Sequence, residues 1–165
     1  MLSNQATTNL PLYVIGHSQE ALNAAIVLAS LDHTVQVVAD AAAVADTLSN
    51  YRFEPQLTAL WTLYSQSGQQ QKITLMADAT DLSSHAVVWL FWDSLSGDRR
   101  DGLMQQLQSP HQQIIISGIS QVGHVAQFAD SLASHWVYYL PLIFMKDGAN
   151  FSSMLKPDML IVGEK

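Results

Sequence analysis

The chain has no cysteine, which excludes a disulfide framework, a thiolate metal site and a cysteine nucleophile. That suits a reducing cytosol, and a cytoplasmic location is expected. Positive charge is also scarce: seven Lys plus Arg stand against fourteen Asp plus Glu, for a net charge of -7. The few bases are scattered, and without a basic patch to neutralise phosphates no nucleic-acid partner is expected. No apolar run is long enough to cross a bilayer. The opening "MLSNQATTNL" has neither the basic nor the apolar region of a signal peptide. Residues 1–10 therefore read as a polar tail, and no membrane insertion is expected. The six histidines, at positions 17, 33, 85, 111, 124 and 135, form no H-x-x-x-H pair and have no carboxylate at metal spacing. No metal site is expected. Nor do a serine, a histidine and an acid share a nucleophile-elbow context, which leaves a hydrolase without support.

What is present is apolar. Of the 165 residues, 48% are hydrophobic and only 13% charged, the balance of a chain that folds rather than one that stays disordered. That length fits a single domain, expected over residues 11–165. Short apolar runs rich in β-branched and aromatic residues recur at Leu12–Ile15, Val35–Ala39, Ile73–Met76, Ala86–Phe91, Gln113–Ser117, Trp136–Leu140 and Met159–Val162. "AVVWLF" and "IIIS" lack polar alternation, as strands buried on both faces of a parallel sheet do. Between the runs lie helical patterns. Ala21, Leu22, Ala25, Ile26 and Ala29 form one apolar stripe, and a second helix covers "AAAVADTLSN". Pro55 opens a third helix carrying Leu57, Leu60, Trp61 and Tyr64, since proline is accepted in a first turn. Two more cover "RRDGLMQQL" and "GHVAQFADSLA", the latter with Val125, Phe128, Ala129 and Leu132 inward. The polar "SQSGQQQK" is a surface loop. Strands alternating with helices predict an α/β chain, a three-layer Rossmann-like fold with a mainly parallel sheet.

In that fold the first strand-to-helix turn carries G-x-G-x-x-G, with the second glycine admitting the pyrophosphate. Here the frame holds Gly16, Ser18 and Ala21. Ser18 puts a Cβ where the ligand should approach, although its hydroxyl can donate to an anion at the helix N-terminus. Glu20 favours the helix dipole but repels a phosphate. Asp40 lies near the end of the second strand, where an acid would hold a ribose hydroxyl; it is equally a good N-cap for "AAAVA". His17 and His124 fall in strand-to-helix turns at the carboxyl edge of the sheet, where ligands of open α/β sheets bind. Strand alternation points Trp89 and Phe91 the same way, against helices. Trp92 is expected at the crevice edge, filling an emptied pocket or forming an oligomer contact.

Four segments, taken in order, carry a family resemblance. "YVIGHSQEALNAAIVLASLDHTVQVVAD" is similar to the opening βαβ unit of the UDP-glucose/GDP-mannose dehydrogenase family, enzymes that oxidise nucleotide sugars for polysaccharide synthesis. "FEPQLTALW" resembles its glutamate-proline-glycine-leucine helix start. "IIISGISQVGHVAQFAD" resembles the strand and turn bearing lysine-serine-threonine-valine-proline-x-glycine-threonine. "PLIFMKDGANFSSMLKPDMLIVGE" resembles the stretch that begins asparagine-proline-glutamate-phenylalanine-leucine. The likeness runs from Leu12 to Glu164 and implies an N-terminal NAD-binding domain.

The resemblance also implies losses. Ser18 replaces the phosphate-approach glycine, and the ribose-binding aspartate matches Ala39, with Asp40 one place late and so on the other strand face. "FWDSL" lacks the family's threonine, and the lysine-serine-threonine run becomes Ser117, Gly118 and Ile119. The catalytic glutamate falls at Leu142 or Ile143, and an aliphatic side chain can neither orient water nor move a proton. The chain stops where the family's central helix and sugar-binding domain, with its nucleophilic cysteine, would begin. No catalytic residue is therefore expected, and Gly16, His17, Ser18 and Asp40 are the candidates for cofactor contact. Two expectations follow: a non-catalytic scaffold that binds a protein partner or a copy of itself and holds no cofactor, or an NAD or adenine-nucleotide subunit completed by a second chain.

Overall fold

Short β-branched runs pair here, and the central ones, such as "VVWLF", are apolar on both faces and covered on both. The structure, a computed structural model, describes residues 10–50, 55–118, 124–134, 136–140, 145–147 and 150–152. Six strands form one parallel sheet: β1 (Leu12–Ile15), β2 (Val35–Val38), β3 (Ile73–Met76), β4 (Val87–Phe91), β5 (Gln113–Ser117) and β6 (Trp136–Tyr139). Their order is β3-β2-β1-β4-β5-β6, so the chain reverses direction across the sheet between β1 and β4. The expected strand boundaries hold to within a residue, and the fold is a Rossmann-like α/β domain. The run at Met159–Val162 and the polar tail before Leu10 lie outside the described residues. A hairpin of β7 (Met145–Asp147) and β8 (Asn150–Ser152), antiparallel, was not anticipated from the pattern, because three-residue strands are too short to show alternation.

Period-two alternation sends the strand side chains to two separate cores. Val14, Val35, Val37, Trp89 and Phe91 face one side. There they meet α1 (Gln19–Ser30), α2 (Ala41–Asn50) and α3 (Pro55–Ser65) through Leu22, Ala25, Ile26, Val44, Leu57 and Trp61. Trp89 and Phe91 do point the same way, with ring centroids 5.5 Å apart. Tyr13, Ile15, Val38, Leu90, Ile114 and Ile116 face the other side, against α4 (Gly97–Gln106) and α5 (His124–Ser131) through Leu103, Phe128 and Ala129. The two cores make the three layers.

The helix starts follow local chemistry. Ser18 accepts the Ala21 N–H at 3.2 Å and so caps α1, with Glu20 in the favourable first turn. Asp40 caps α2 by accepting from Ala42 and Ala43 N–H at 2.8 and 3.1 Å. Pro55 is the first residue of α3. The β2-to-β3 connection carries two helices, whereas the β3-to-β4 connection, residues 77–86, carries none. That segment lays Ala79 and Leu82 on the second core and ties itself down by Ser83 N–H to the Tyr13 hydroxyl and Gln112 Nε2 to the Ser83 carbonyl.

Candidate functional site

Ligands of open α/β sheets sit at the carboxyl edge where the strand order reverses, because the loops diverge there. At that place, between the ends of β1, β4 and β5, lies a cavity of about 480 Å³. Its walls come from the β1–α1 turn (His17, Ser18, Glu20), from α2 (Ala43, Asp46, Thr47), from β4 and the single 3-10 turn Trp92–Ser94 that follows it, and from Ser117 and Gly118.

Gly16 is confined by that 3-10 turn. Its φ is +134°, and a Cβ at this position would fall on Ser94 Oγ and within 3.0 Å of Phe91 Cβ. The glycine thus lets the β4 turn close on the β1 turn. Ser94 is held in place by donating to the Phe91 carbonyl at 2.8 Å. Gly118, at φ +73°, accepts the Asp93 N–H through its carbonyl at 3.0 Å and ties the end of β5 to the same turn.

The polar groups around the cavity are largely satisfied within the protein. Ser18 Oγ receives a helix N–H, as described. Thr47, buried on α2, donates its hydroxyl to the His17 carbonyl at 2.8 Å and to the Ala43 carbonyl at 3.0 Å. Ser117, fully buried, accepts from Trp89 Nε1 at 3.0 Å and donates to the Leu140 carbonyl at 2.6 Å. Charge at the lining is one-signed: Glu20, Asp46 and Asp93 contribute carboxylates, and no lysine or arginine lines the cavity among the described residues.

Of the sequence candidates, Gly16, His17 and Ser18 come together at this edge, His17 and Ser18 in the wall and Gly16 beneath the 3-10 turn. Asp40 does not line the cavity; its carboxylate is spent on α2. His124 begins α5, and its side chain lies outside the described residues. Trp92 does not fill the cavity. The 3-10 turn rotates it towards α4 and α5, where its ring meets Phe128 at 4.3 Å, edge-on, and the Arg100 guanidinium stacks 4.8 Å from its centroid. Sequence reasoning missed Asp46, Thr47 and Ser94. Ser94 has a signal, since it follows "FWD" past β4, but its role depends on β1 and β4 being neighbours.

A second cleft, of about 320 Å³, shares no lining residue with the first. Its walls are the ends of β1 and β2, the β3–β4 connection and one face of α4. Among the described residues no group of three or more His, Asp or Glu is placed to hold a metal ion, and no helix is long and apolar enough to cross a membrane.

Parallel order, two covered faces and an edge cavity at the reversal define a Rossmann-like domain, a fold compatible with NAD(P) binding. No family model matches the chain, and no curated protein matches it. Among solved structures it is similar to a 2-dehydropantoate 2-reductase from Methylococcus capsulatus, at 18% identity and a TM-score of 0.49. The likeness covers 86% of this chain and 44% of that one, so this chain spans less than half the length of that enzyme. A likeness of this degree carries nothing about ligand or activity.

Proposed function

We propose that this chain is a Rossmann-like domain of the UDP-glucose/GDP-mannose dehydrogenase type that has kept the scaffold without the chemistry. In this reading it works as an interaction or regulatory module, binding a protein partner or a copy of itself. The observation that carries the proposal is Ser18, whose side chain stands in the crevice wall at the phosphate-approach position and whose oxygen caps α1. The lining points the same way. A pyrophosphate carries two negative charges, and the residues that would face it are Glu20, Asp46 and Asp93, with Ser18 already committed to the α1 N-terminus. These residues do not fit the pyrophosphate of NAD.

Isothermal titration with NAD, NADH and UDP-glucose, followed by amide NMR of the Gly16–Ala21 turn, tests this directly. The expected result is no saturable heat and no shift at that turn. Micromolar binding with shifts at Gly16 and Ser18 would overturn it.

A second reading has one observation in its favour, the 480 Å³ cavity at the strand-order reversal. In it, the chain is the NAD- or adenine-nucleotide-binding subunit of a nucleotide-sugar oxidoreductase whose missing groups come from another polypeptide. Light scattering separates self-association from a foreign partner. NADH formation on mixing with sugar-domain proteins would favour the second reading over the first.

A further inference from the structure

We propose that the cleft between the β3–β4 connection and α4 binds a small aromatic amine, with its ring on the apolar floor and its ammonium at the acidic rim. The inference stands on this cleft alone and does not depend on what fills the cavity beside His17. Its floor is Ile15, Val38, Leu95 and Leu103, none more than 6% exposed, so the base is fixed by the second core. The volume of about 320 Å³ lies at the lower end of the roughly 300–1,000 Å³ that ligand pockets occupy, which suits a one- or two-ring molecule. The cleft shares no lining residue with the cavity beside His17.

Gly102 is the second observation. It lies inside α4, where glycine costs about 0.5–1 kcal/mol relative to alanine. Its φ is not in the left-handed region, and a Cβ on it would meet nothing within 4 Å beyond its chain neighbours and the backbone of its own helix. Neither helix geometry nor internal packing accounts for it. It lines the cleft, and its lack of a side chain leaves the α4 backbone open to close approach by an occupant.

The rim sets the charge. Asp78, Asp98 and Arg99 surround the opening. Arg99 is turned to the wall, its guanidinium donating to the Ala77 carbonyl at 3.4 Å. Asp78 is fixed in place: one carboxylate oxygen accepts both the Thr80 hydroxyl and the Thr80 N–H, which keeps it ionised to lower pH than an ordinary aspartate. Two carboxylates against one guanidinium, on a chain of net charge -7, favour a cation over a phosphate.

The test is titration of the whole chain with tryptamine, indole, indole-3-acetate and AMP. Tryptamine is expected to bind most tightly, indole several-fold more weakly, and the two anions least. Asp98→Asn should weaken tryptamine by about 2–5-fold and leave indole unchanged, the size expected for one solvated charge pair. Gly102→Ala should raise the melting temperature, as a helix-interior Gly-to-Ala change does, yet lower tryptamine affinity tenfold or more. Equal binding of indole-3-acetate or AMP would overturn the proposal. So would unchanged tryptamine affinity in Gly102→Ala, a variant whose higher melting temperature shows that it is folded.

Discussion

Gly16→Ala separates a glycine kept for a ligand from a glycine kept for the protein itself. Alanine at φ +134° carries backbone strain of order 1–3 kcal/mol. Its Cβ would displace the Ser94 hydroxyl, which could swing away only by giving up its 2.8 Å bond to the Phe91 carbonyl, a loss of about 1 kcal/mol. The remaining contacts, 3.0 Å to Phe91 Cβ and 3.3 Å to Phe91 O, are not relieved by any rotamer, because β4 is paired on both sides, with β1 and β5. That adds roughly 1 kcal/mol of overpacking. The sum is about 3–5 kcal/mol, and for a chain of this size a drop in Tm on the order of 10 °C. Urea unfolding of the wild type, Gly16→Ala, Ser94→Ala and the double variant measures it. The cycle should return a coupling of about 1 kcal/mol, since removing Ser94 Oγ removes that share of the clash. A Gly16→Ala protein within about 2 °C of wild type, or a cycle with no coupling, would refute the reasoning and return Gly16 to a ligand role.

Asp40→Ala removes both hydrogen bonds at the start of α2 and should cost about 1 kcal/mol in thermal unfolding, with no effect on any nucleotide titration. A loss of nucleotide binding without a loss of stability would instead make Asp40 a ribose ligand. Thr80→Val removes the hydroxyl that, with the Thr80 N–H, holds the Asp78 carboxyl below the ordinary aspartate range. Because the folded value is depressed, the stability linked to Asp78 is present above its unfolded pKa and is lost as pH falls through the folded value. Carboxyl-carbon NMR should show Asp78 titrating at higher pH in Thr80→Val, while Asp32, held down by its 2.8 Å ion pair with Lys72, stays where it is.

Much of the fold was legible because strand burial is written in composition. "LYVI", "ITLM" and "QIIIS" are bounded by polar or turn residues and reappear with the same limits as β1, β3 and β5. The helix starts were legible where a single residue type performs the local task, as at Ser18, Asp40 and Pro55. What was not legible depends on which strands become neighbours. Nothing near Gly16 in the chain names Ser94, 78 positions later, as its neighbour; that contact exists only because β1 and β4 lie side by side. The orientation of Trp92 escaped for a related reason. Strand alternation was extended one residue too far, into a 3-10 turn whose rotation carries the ring away from the crevice and onto Phe128.

The hydrogen-bond accounts of the crevice bear on the choice between scaffold and cofactor site. A pre-formed dinucleotide site keeps donors and acceptors in reserve for its ligand, and a buried polar group without a partner costs about 1–3 kcal/mol. Here the side chains at the candidate positions already have partners. Ser18 holds the Ala21 N–H, Asp40 holds two N–H groups of α2, and Ser117 both accepts from Trp89 and donates to the Leu140 carbonyl. Ser117 has its hydrogen on the Leu140 carbonyl and one lone pair on the Trp89 N–H, so it could meet a nicotinamide only as an acceptor through its other lone pair. Ser18 accepts the α1 cap bond and could still donate its hydroxyl to a phosphate, but beside Glu20. The carboxylates of Glu20, Asp46 and Asp93 add repulsion to every negative charge brought in. Ser18, Asp40 and Ser117 thus hold the first turn, the second helix start and the strand ends of the fold itself.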